Sequence, residues 1–319
     1  MSSESIKKIL DPFSLKQLLQ TPNTLPVRQA GELRTGALTR RHFLRFLLGL
    51  PLFYSFPFPV QETWANLSSL PRKDAKSIGE FFEGEELHYE IGFWIFKKVA
   101  QGKLIFKGTG EKGRYLATLQ GETLGVFGWV ARYRVDTYRS IMEEIEGGRR
   151  LRSLSFEEDV KIGSKLRRRT HFFDYPKRKW IKVRQGKDGT PVRTEEEIPL
   201  GIIYDDFVTA SYNFRYGVYG EIDRGRKYTV PTFPKKGPSS YEVKVASKEE
   251  EEKKRKSEKI KDGKEYFVKL SLDAEVTHSK EGLIEGWLSK DLYPIEGTIK
   301  DVILFGDVKG TLINKVRSS

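Results

Sequence analysis

The chain has no cysteine in its 319 residues. This absence excludes disulfide bonds, thiolate metal ligands and cysteine nucleophiles. Histidine is nearly as scarce, with four residues at positions 42, 88, 171 and 278, and no two of them are two or four residues apart. Zinc and non-haem iron sites need several such ligands that converge. The sequence therefore predicts no metal site and no cofactor.

Long apolar runs are also missing. The stretch from Phe46 to Val60 carries no charge, but it is only 15 residues long and contains three prolines. A helix of that length reaches about 22 Å, which is short of the roughly 30 Å hydrocarbon core of a membrane. Proline weakens it further as a helix. The stretch is therefore typical of a transient export segment rather than of a permanent membrane span.

A basic segment stands directly before this stretch. It reads Thr39-Arg40-Arg41-His42-Phe43-Leu44-Arg45. A basic start followed by a short apolar stretch is typical of a signal peptide, and the segment resembles a twin-arginine leader through Arg40, Arg41, Phe43 and Leu44. Such a leader implies a periplasmic protein that crosses the inner membrane already folded, with a lasting anchor only if the leader stays uncleaved. The alternative is a buried or amphipathic helix that carries two arginines.

The leader divides the chain into four predicted parts. Residues 1–38 form an N-terminal tail or lie before the true start, and residues 39–65 form the leader, with cleavage after Ala65. Residues 66–80 are rich in serine, lysine and aspartate and are predicted to be a linker. Residues 81–319 are predicted to form a single β-rich domain, since 38% of the chain is apolar, enough for a packed core.

Alternating apolar residues predict that this domain is mainly β. Residues 87–93 alternate with period two, as do several later runs, and this period is typical of half-buried strands. Asp188-Gly189 and Asp262-Gly263 fit two-residue hairpin turns, which join antiparallel strands. We expect one strongly curved, largely antiparallel sheet of about ten to twelve strands, a half-barrel or open barrel, because so many strands do not lie flat.

One or two short helices are expected on the concave face of that sheet. Residues 124–133 and 205–216 are the candidates, and Gly217 can end the second one. Within residues 248–261, the four glutamates at 249–252 each stand four residues before a lysine or arginine. Such pairs favour a helix only weakly, so we expect a solvated insertion between or extending two strands there.

The sequence offers no catalytic set. Asp205 and Asp206 are adjacent at a helix start, where capping is the favoured interpretation, because neighbouring residues on a helix point about 100° apart and do not face each other. No phosphate-binding loop, serine elbow or zinc-protease motif is present. The basic run Lys165 to Arg169 is typical of nucleic-acid contacts, but export argues against that partner. A strand that faces solvent is the favoured interpretation of this run.

Several short motifs resemble a bacterial family of exported proteins, domain of unknown function 3108. The resemblance spans about residues 80–316. The residues that carry it are Gly84, Glu85, Tyr89, Gly102, Asp174, Asp205, Asp206, Tyr212, Arg215, Gly286, Trp287, Asp291 and Pro294. The family implies a curved antiparallel sheet, similar to the half-barrels that carry lipoproteins across the periplasm, and a location in the Gram-negative envelope. It implies no established activity.

These observations lead to one leading hypothesis and two alternatives. The leading one is a non-enzymatic envelope protein whose curved sheet binds an amphiphile or an envelope partner, such as a lipid, a lipoprotein or an anionic polymer. The first alternative is an envelope hydrolase with an Asp or Glu pair, which would require two carboxyls that face each other across a cleft. The second is a structural or assembly factor.

Overall fold

The computed structural model describes residues 76–186, 189–233, 240–260, 263–272, 279–302 and 306–317. The chain divides into two compact units, and every described residue belongs to the unit formed by Met1–Asp11 and Arg72–Ser319. The predicted leader, with Arg40, Arg41, Phe43 and Leu44, lies outside the described residues.

The described residues form one antiparallel sheet of fourteen strands. Its spatial order is β8-β7-β6-β5-β4-β3-β2-β1-β14-β13-β12-β11-β10-β9. The strands are β1 (Glu85–Phe93), β2 (Phe96–Gly108), β3 (Arg114–Thr123), β4 (Val135–Ile145), β5 (Arg150–Ile162), β6 (Lys165–Asp174), β7 (Lys179–Gln185), β8 (Pro191–Glu197), β9 (Lys227–Pro231), β10 (Ser240–Val245), β11 (Tyr266–Ser271), β12 (Leu283–Leu288), β13 (Pro294–Val302) and β14 (Gly306–Arg317).

The antiparallel β-rich class is confirmed, but the expected ten to twelve strands are too few. The two edge strands carry the weakest sequence signal. Strand β8 is charged and almost wholly exposed, and β9 has five residues and ends at Pro231. Edge strands are commonly short, charged or ended by proline because these features block pairing with another chain. They therefore lack the alternation that predicts interior strands.

Four short helices accompany the sheet in the described residues. They are α1 (Ile78–Phe82), α2 (Gly125–Val130), α3 (Phe207–Tyr216) and α4 (Lys248–Glu258). Helix α3 begins after the N-cap residue Asp206 and ends at Gly217, whose φ of 88° suits the left-handed C-cap position that favours glycine. The predicted helix over 205–216 is thereby confirmed.

Helix α3 packs on one face of the sheet, which we call the α3 face. The main core joins Val208 and Tyr212 of α3 to buried side chains from strands β1 to β7. A second core joins Ala210 and Phe214 of the same helix to strands β9, β10 and β12. The helix therefore contacts strands from both wings of the sheet.

Helix α4 packs on the opposite face, which we call the α4 face. On β11, Val268 packs against the second core on the α3 face, whereas Phe267 next to it packs with Trp287 beneath α4. Neighbouring strand residues point to opposite faces. Residues 248–258 do form a largely exposed insertion between β10 and β11, but they fold as a helix on the face opposite α3, which the sequence did not predict.

Side-chain contacts explain why the acidic-basic segment folds as α4. Ser247 and Glu250 form a capping box at its start. Arg255 lies 4.8 Å from the ring centre of Trp287, and Glu251 is 3% exposed and accepts from the backbone N–H of Phe267. Tertiary contacts of this kind stabilise a helix whose own ion pairs are weak.

Two boundaries differ from the sequence prediction. The predicted linker runs to residue 80, but α1 begins at Ile78, which is fully buried. The Asp262-Gly263 turn is preceded by α4 rather than by a strand, so it does not join two paired strands directly. Strands β7 and β8, on either side of Asp188-Gly189, do pair antiparallel. Residues 187, 188, 261 and 262 themselves lie outside the described residues.

Candidate functional site

Asp206 is the centre of a buried polar network at the start of α3. One of its carboxylate oxygens accepts from the backbone N–H groups of Val208 and Thr209, at 2.9 and 3.0 Å. The other accepts from the hydroxyls of Ser140, Ser153 and Thr209, at 2.5, 2.8 and 2.8 Å. All of these side chains are buried, with Val208 at 2% exposure and the others at 0%. Five donors occupy the carboxylate, which confirms the capping interpretation.

Asp205 points into a different group of residues. Its Oδ2 atom accepts from Arg150 at 3.0 Å, from the Tyr219 hydroxyl at 2.5 Å and from Asn213 at 3.3 Å. Burial raises the pKa of Asp205 to about 6, and the charge of Arg150 limits that rise. The Oδ1 atom has no hydrogen-bond partner among the described residues.

The two adjacent carboxyls do not form an acid–base pair. Asp205 and Asp206 have 0% exposure, so neither is in contact with a solvent-filled cleft. A hydrolytic pair needs two carboxyls that face each other with space for a substrate between them. Here each carboxyl is engaged by protein donors, and the arrangement ties α3 to strands β4 and β5.

A buried ion pair holds the other end of α3. Arg215 donates two hydrogen bonds to Glu85, both at 2.6 Å, and a third from Nε to the backbone oxygen of Leu292 at 3.0 Å. Tyr89 donates to the backbone oxygen of Pro294 at 3.0 Å. Burial raises the pKa of Tyr89 above its usual value. These contacts join the first strand to α3 and to the β12–β13 connection.

The aromatic residue Tyr212 completes this group. It is fully buried, and the guanidinium of Arg215 lies 5.5 Å from its ring centre and 5.3 Å from that of Tyr293. Glu85, Tyr89, Tyr212, Arg215 and Pro294 are therefore brought together, although 209 residues of sequence separate the first from the last. Sequence reasoning grouped them only by resemblance.

The remaining motif residues take no part in the side-chain hydrogen bonds of either group. Asp174 accepts from the backbone N–H of Lys177 in a turn, and these contacts lower its pKa. An added Cβ at Gly286 would meet the backbone oxygen of Glu296 at 3.0 Å, so the close approach of β12 and β13 favours glycine there. Three further positions share no role. Gly84 has a φ of 76°, Gly102 pairs with Tyr89, and Asp291 is exposed in the β12–β13 turn.

The two histidines that the structure describes lie on different strands, β1 and β6, and have different partners. His171 is buried and accepts from the Trp180 indole at 3.1 Å, while His88 lies 2.6 Å from Glu86. His42 and His278 lie outside the described residues. Where the structure describes the chain, no group of three His, Asp or Glu side chains is placed to hold a metal ion.

The basic run on β6 is largely paired across the sheet. Arg168 donates to both oxygens of Asp159, at 2.7 and 3.0 Å, and Arg169 lies 3.9 Å from Glu158. The Arg168 contacts lower the pKa of Asp159. These arginines are cross-strand partners of acidic residues on β5, as is common on a polar sheet face.

A groove of about 550 Å³ runs along the α4 face. This volume lies within the usual range of small-molecule sites, about 300–1,000 Å³. Strands β1, β12, β13 and β14 form its floor, and α4 forms one side through Lys254 and Glu258. Phe93, Trp94 and Phe96, at the turn between β1 and β2, line its other end. We call the end at the β1–β2 turn the aromatic end, although Lys97 and Lys98 also line it, and the end at α4 the charged end, although Phe267 and Trp287 lie there as well.

Ion pairs organise the charged end of the groove. Glu296 is 8% exposed and lies 2.7 Å from both Lys264 and Lys309. Lys254 lies 2.7 Å from Glu258 and 2.8 Å from Glu285. Half-buried pairs of this kind keep several charged groups in fixed positions without a net charge.

Trp287 lines the same groove from beneath α4. It is 2% exposed, and its indole N–H has no acceptor among the described residues. Buried donors usually have a partner. The groove thus contains one buried donor that the described part of the protein leaves unsatisfied.

Sequence reasoning singled out Trp287 but missed the polar residues of the groove. A signal was present, because Glu296, Thr298 and Lys300 on β13, and Asp307 and Lys309 on β14, are polar at every second position. That alternation identifies a polar face of the strands. It does not reveal that the two strands are neighbours or that α4 borders them.

An exposed apolar surface adjoins the aromatic end. Among the described residues, thirteen large hydrophobic side chains are exposed. Seven of them lie at this end of the sheet, on or next to the turns and the helix that connect strands β1 to β6. They are Trp94, Ile95, Phe96, Val126, Trp129, Tyr133 and Leu166. None of the helices in the described ranges is both long and apolar enough to span a membrane.

Similarity to known proteins is found at the level of the family. No curated protein and no solved structure matches the chain. One family model, described as protein of unknown function (DUF3108), matches residues 87–313, which run from strand β1 to strand β14. The match covers more than two thirds of the chain and includes α3, α4 and the groove. The chain therefore belongs to this family of proteins of unknown function.

Proposed function

We propose that the protein is a non-enzymatic cell-envelope protein that binds an amphiphile in the groove on the α4 face. The groove itself is the observation that carries the proposal, because its aromatic and charged ends match the two ends of such a ligand. The apolar chain lies against Phe93, Trp94 and Phe96. The headgroup lies among the ion-paired lysines and glutamates near Lys254 and Lys309.

The aromatic end is suited to an acyl chain. The ring centres of Phe93 and Phe96 lie 5.6 Å apart, and they lie 5.5 and 5.0 Å, respectively, from the ring centre of Phe127 on α2. These contacts hold the rings in place before a ligand arrives. A preformed apolar site binds at a lower entropic cost than one that must first order its side chains.

The charged end is suited to a polar headgroup. Ammonium and carboxylate groups in the groove offer donors and acceptors in about equal number, so a zwitterionic or hydroxyl-rich headgroup fits better than a bare charge.

The proposal includes a strongly curved sheet. The Thr209 hydroxyl on α3 is 3.0 Å from that of Ser153 on β5, and the ring of Phe214 on the same helix is 5.3 Å from that of Tyr228 on β9. Ten strand steps separate β5 from β9 in the sheet order, or about 48 Å in a flat sheet. A helix of ten residues is about 15 Å long, so contact with both strands supports a sheet that curls around α3.

The same curvature explains why the ligand belongs on the other face. Helix α3 and its two cores occupy the inner side of the curl. We therefore place the amphiphile on the outer side, between α4 and the β1–β2 turn, rather than on the concave face that the sequence suggested.

An envelope location rests on the leader. Arg40, Arg41, Phe43 and Leu44 fit a twin-arginine signal, and the absence of cysteine leaves the fold independent of the redox state on either side of the membrane. Substitution of Lys for both Arg40 and Arg41 is expected to retain the protein in the cytosol, as measured by cell fractionation. Unchanged periplasmic recovery of that variant would remove this part of the proposal.

The two other functions have less support. A hydrolase needs accessible carboxyls, and Asp205 and Asp206 are buried and bonded to protein donors. An assembly factor remains the interpretation if no amphiphile binds and a protein partner is recovered from the envelope.

The groove is tested by titration with a labelled lipid. NBD-labelled lysophosphatidylethanolamine, below its micelle-forming concentration, should brighten as it binds the purified protein. Thr298→Trp places a large side chain on the groove floor and should weaken binding at least about tenfold, while Thr194→Trp on the exposed strand β8 should leave it unchanged. Equal binding by both variants, or no binding by the wild type, would refute the proposal.

A further inference from the structure

The turns at one end of the sheet form a second surface, which shares residues 94–98 with the aromatic end of the groove in part. We call it the tip surface and define it as residues 94–98 between β1 and β2, residues 124–134 around α2, and residues 163–167 at the β5–β6 turn. Direct contacts connect the three segments. The ring centres of Phe96 and Phe127 lie 5.0 Å apart, and the backbone N–H of Gly163 donates to the oxygen of Arg132 at 2.8 Å.

The tip surface presents large apolar side chains to solvent. Trp94 is 74% exposed, Ile95 85% and Val126 75%. Two aromatic residues of the α2 segment, Trp129 and Tyr133, are 51% and 60% exposed. Soluble proteins rarely cluster exposed apolar residues in this way unless the cluster contacts a partner or a membrane.

The charges of the tip surface are all of one sign. Its three segments contain six basic residues and no Asp or Glu: Lys97, Lys98, Arg132, Arg134, Lys165 and Arg167. At the start of β14, Gly306 lies close to the indole ring of Trp94, and the adjacent Asp307 is paired with Lys300. Arg134 is paired with Asp136 at 2.8 Å, and the other basic residues give the border of the apolar cluster its positive charge.

We infer that the tip surface docks on an anionic membrane surface. Tryptophan and tyrosine favour the boundary between headgroups and acyl chains, and neighbouring lysines and arginines are attracted to anionic lipids. Ile95 and Val126, on two neighbouring connections, would enter the boundary region. Lys97, Lys98 and Arg132 would face the lipid phosphates.

This inference goes beyond the proposed function, because it needs no ligand in the groove. The two are nevertheless compatible in geometry, since Trp94 belongs to the tip surface and also lines the aromatic end of the groove. A protein docked in this way would hold that end of the groove next to the bilayer.

A reporter on the tip surface tests the inference in the full chain. The chain has no cysteine, so Ile95→Cys can be labelled with the environment-sensitive fluorophore NBD at one position. Vesicles of phosphatidylglycerol and phosphatidylcholine should shift its emission to shorter wavelength, and pure phosphatidylcholine vesicles should not. The matched control is Leu200→Cys, 81% exposed in the connection that follows β8, whose label should keep its emission.

Charge reversal provides the second arm. Lys97→Glu combined with Lys98→Glu in the labelled protein should weaken binding to the anionic vesicles about tenfold or more, whereas Lys112→Glu in the exposed β2–β3 turn should have little effect. Because the reporter senses only its own surroundings, vesicles held by residues 46–60 alone give no shift at position 95.

Three results would overturn the inference. They are no shift at position 95, an equal shift at position 200, and an equal shift with uncharged vesicles. A label at position 95 that is shielded from a soluble quencher before vesicles are added would also overturn it, since another part of the chain or a second copy would then cover the tip surface. Loss of labelled-lipid binding without loss of this shift would refute the groove alone.

Discussion

The two faces of the sheet differ in how their polar groups are used. On the α3 face, Asp206, Glu85 and Arg215 are buried and their hydrogen bonds are nearly all made within the protein. On the α4 face, charged groups such as Lys309 and Glu258 line an open groove. Buried polar groups are costly to disturb and out of reach of a ligand. Groove groups are at least partly accessible, and each contributes little to the free energy of unfolding.

We therefore assign stability to the α3 face and binding to the α4 face. The motif residues with the most bonds, on the α3 face, attach α3 to β1, β4, β5 and the β12–β13 connection. We therefore expect substitutions there to unfold the protein, and substitutions on the α4 face to change binding while the fold persists. The predictions below address the faces in order of expected effect.

Loss of the Asp206 carboxylate should have the largest effect. Asp206→Ala removes a helix cap and leaves buried hydroxyls of Ser140 and Ser153 without their acceptor, so the free energy of unfolding should fall by about 5 kcal/mol. Urea unfolding measures this loss. Asp206→Asn keeps one side-chain oxygen and should lose less. A loss below about 1 kcal/mol for Asp206→Ala would show that the network contributes little.

Breaking the Glu85–Arg215 pair should come next. Glu85→Gln leaves the buried guanidinium without its anionic partner and should cost about 3 kcal/mol in the free energy of unfolding. Replacing both residues, with Glu85→Leu and Arg215→Met, should recover part of that loss because no unpaired charge remains. A double variant much less stable than Glu85→Gln would contradict this account.

Asp205 should make stability depend on pH. Its pKa is raised to about 6 in the folded protein. Its carboxyl therefore binds a proton more tightly in the folded state than in the unfolded state. This group therefore favours the folded state most below about pH 4, and that contribution is lost as the pH rises towards 6, by about 3 kcal/mol in total. Asp205→Asn should remove this dependence.

The measurement compares urea unfolding of the wild type and Asp205→Asn from pH 4 to pH 7.5. The difference in unfolding free energy, variant minus wild type, should increase across this range and level off above pH 6. Parallel curves for the two proteins would contradict the raised pKa.

A groove lysine should have the smallest effect on stability. Lys309 is half exposed. In the Lys309→Gln variant its partner Glu296 would still be ion-paired with Lys264. We expect a change of less than about 1 kcal/mol in unfolding free energy, with weaker binding of the labelled lipid. A large loss of stability would show that the two faces are not separate in their roles.

The sequence predicted the parts of the fold that depend on local patterns. The period-two runs gave interior strands, and Asp206 with Gly217 marked both ends of α3. The edge strand β8 was weakly signalled because charged residues occupy both of its faces. Helix α4 was misjudged because its stability comes from contacts with Phe267 and Trp287, distant in sequence.

The candidate site was less predictable than the fold. Local patterns indicate which residues are polar on a strand, but the groove depends on β1 pairing with β14, which are more than 200 residues apart in sequence. Glu85 and Arg215 likewise meet only after the sheet is formed. Long-range pairing of this kind leaves no periodic signal in a single sequence.

Hydrogen–deuterium exchange with and without lysophosphatidylethanolamine tests the central claim most directly. If the ligand binds on the α4 face, amide protection should increase in residues 92–98, in β13 and β14 and in α4, while α3 keeps its exchange rates. Protection confined to α3 and to strands β4 and β5, or no change anywhere at saturating lipid, would contradict it.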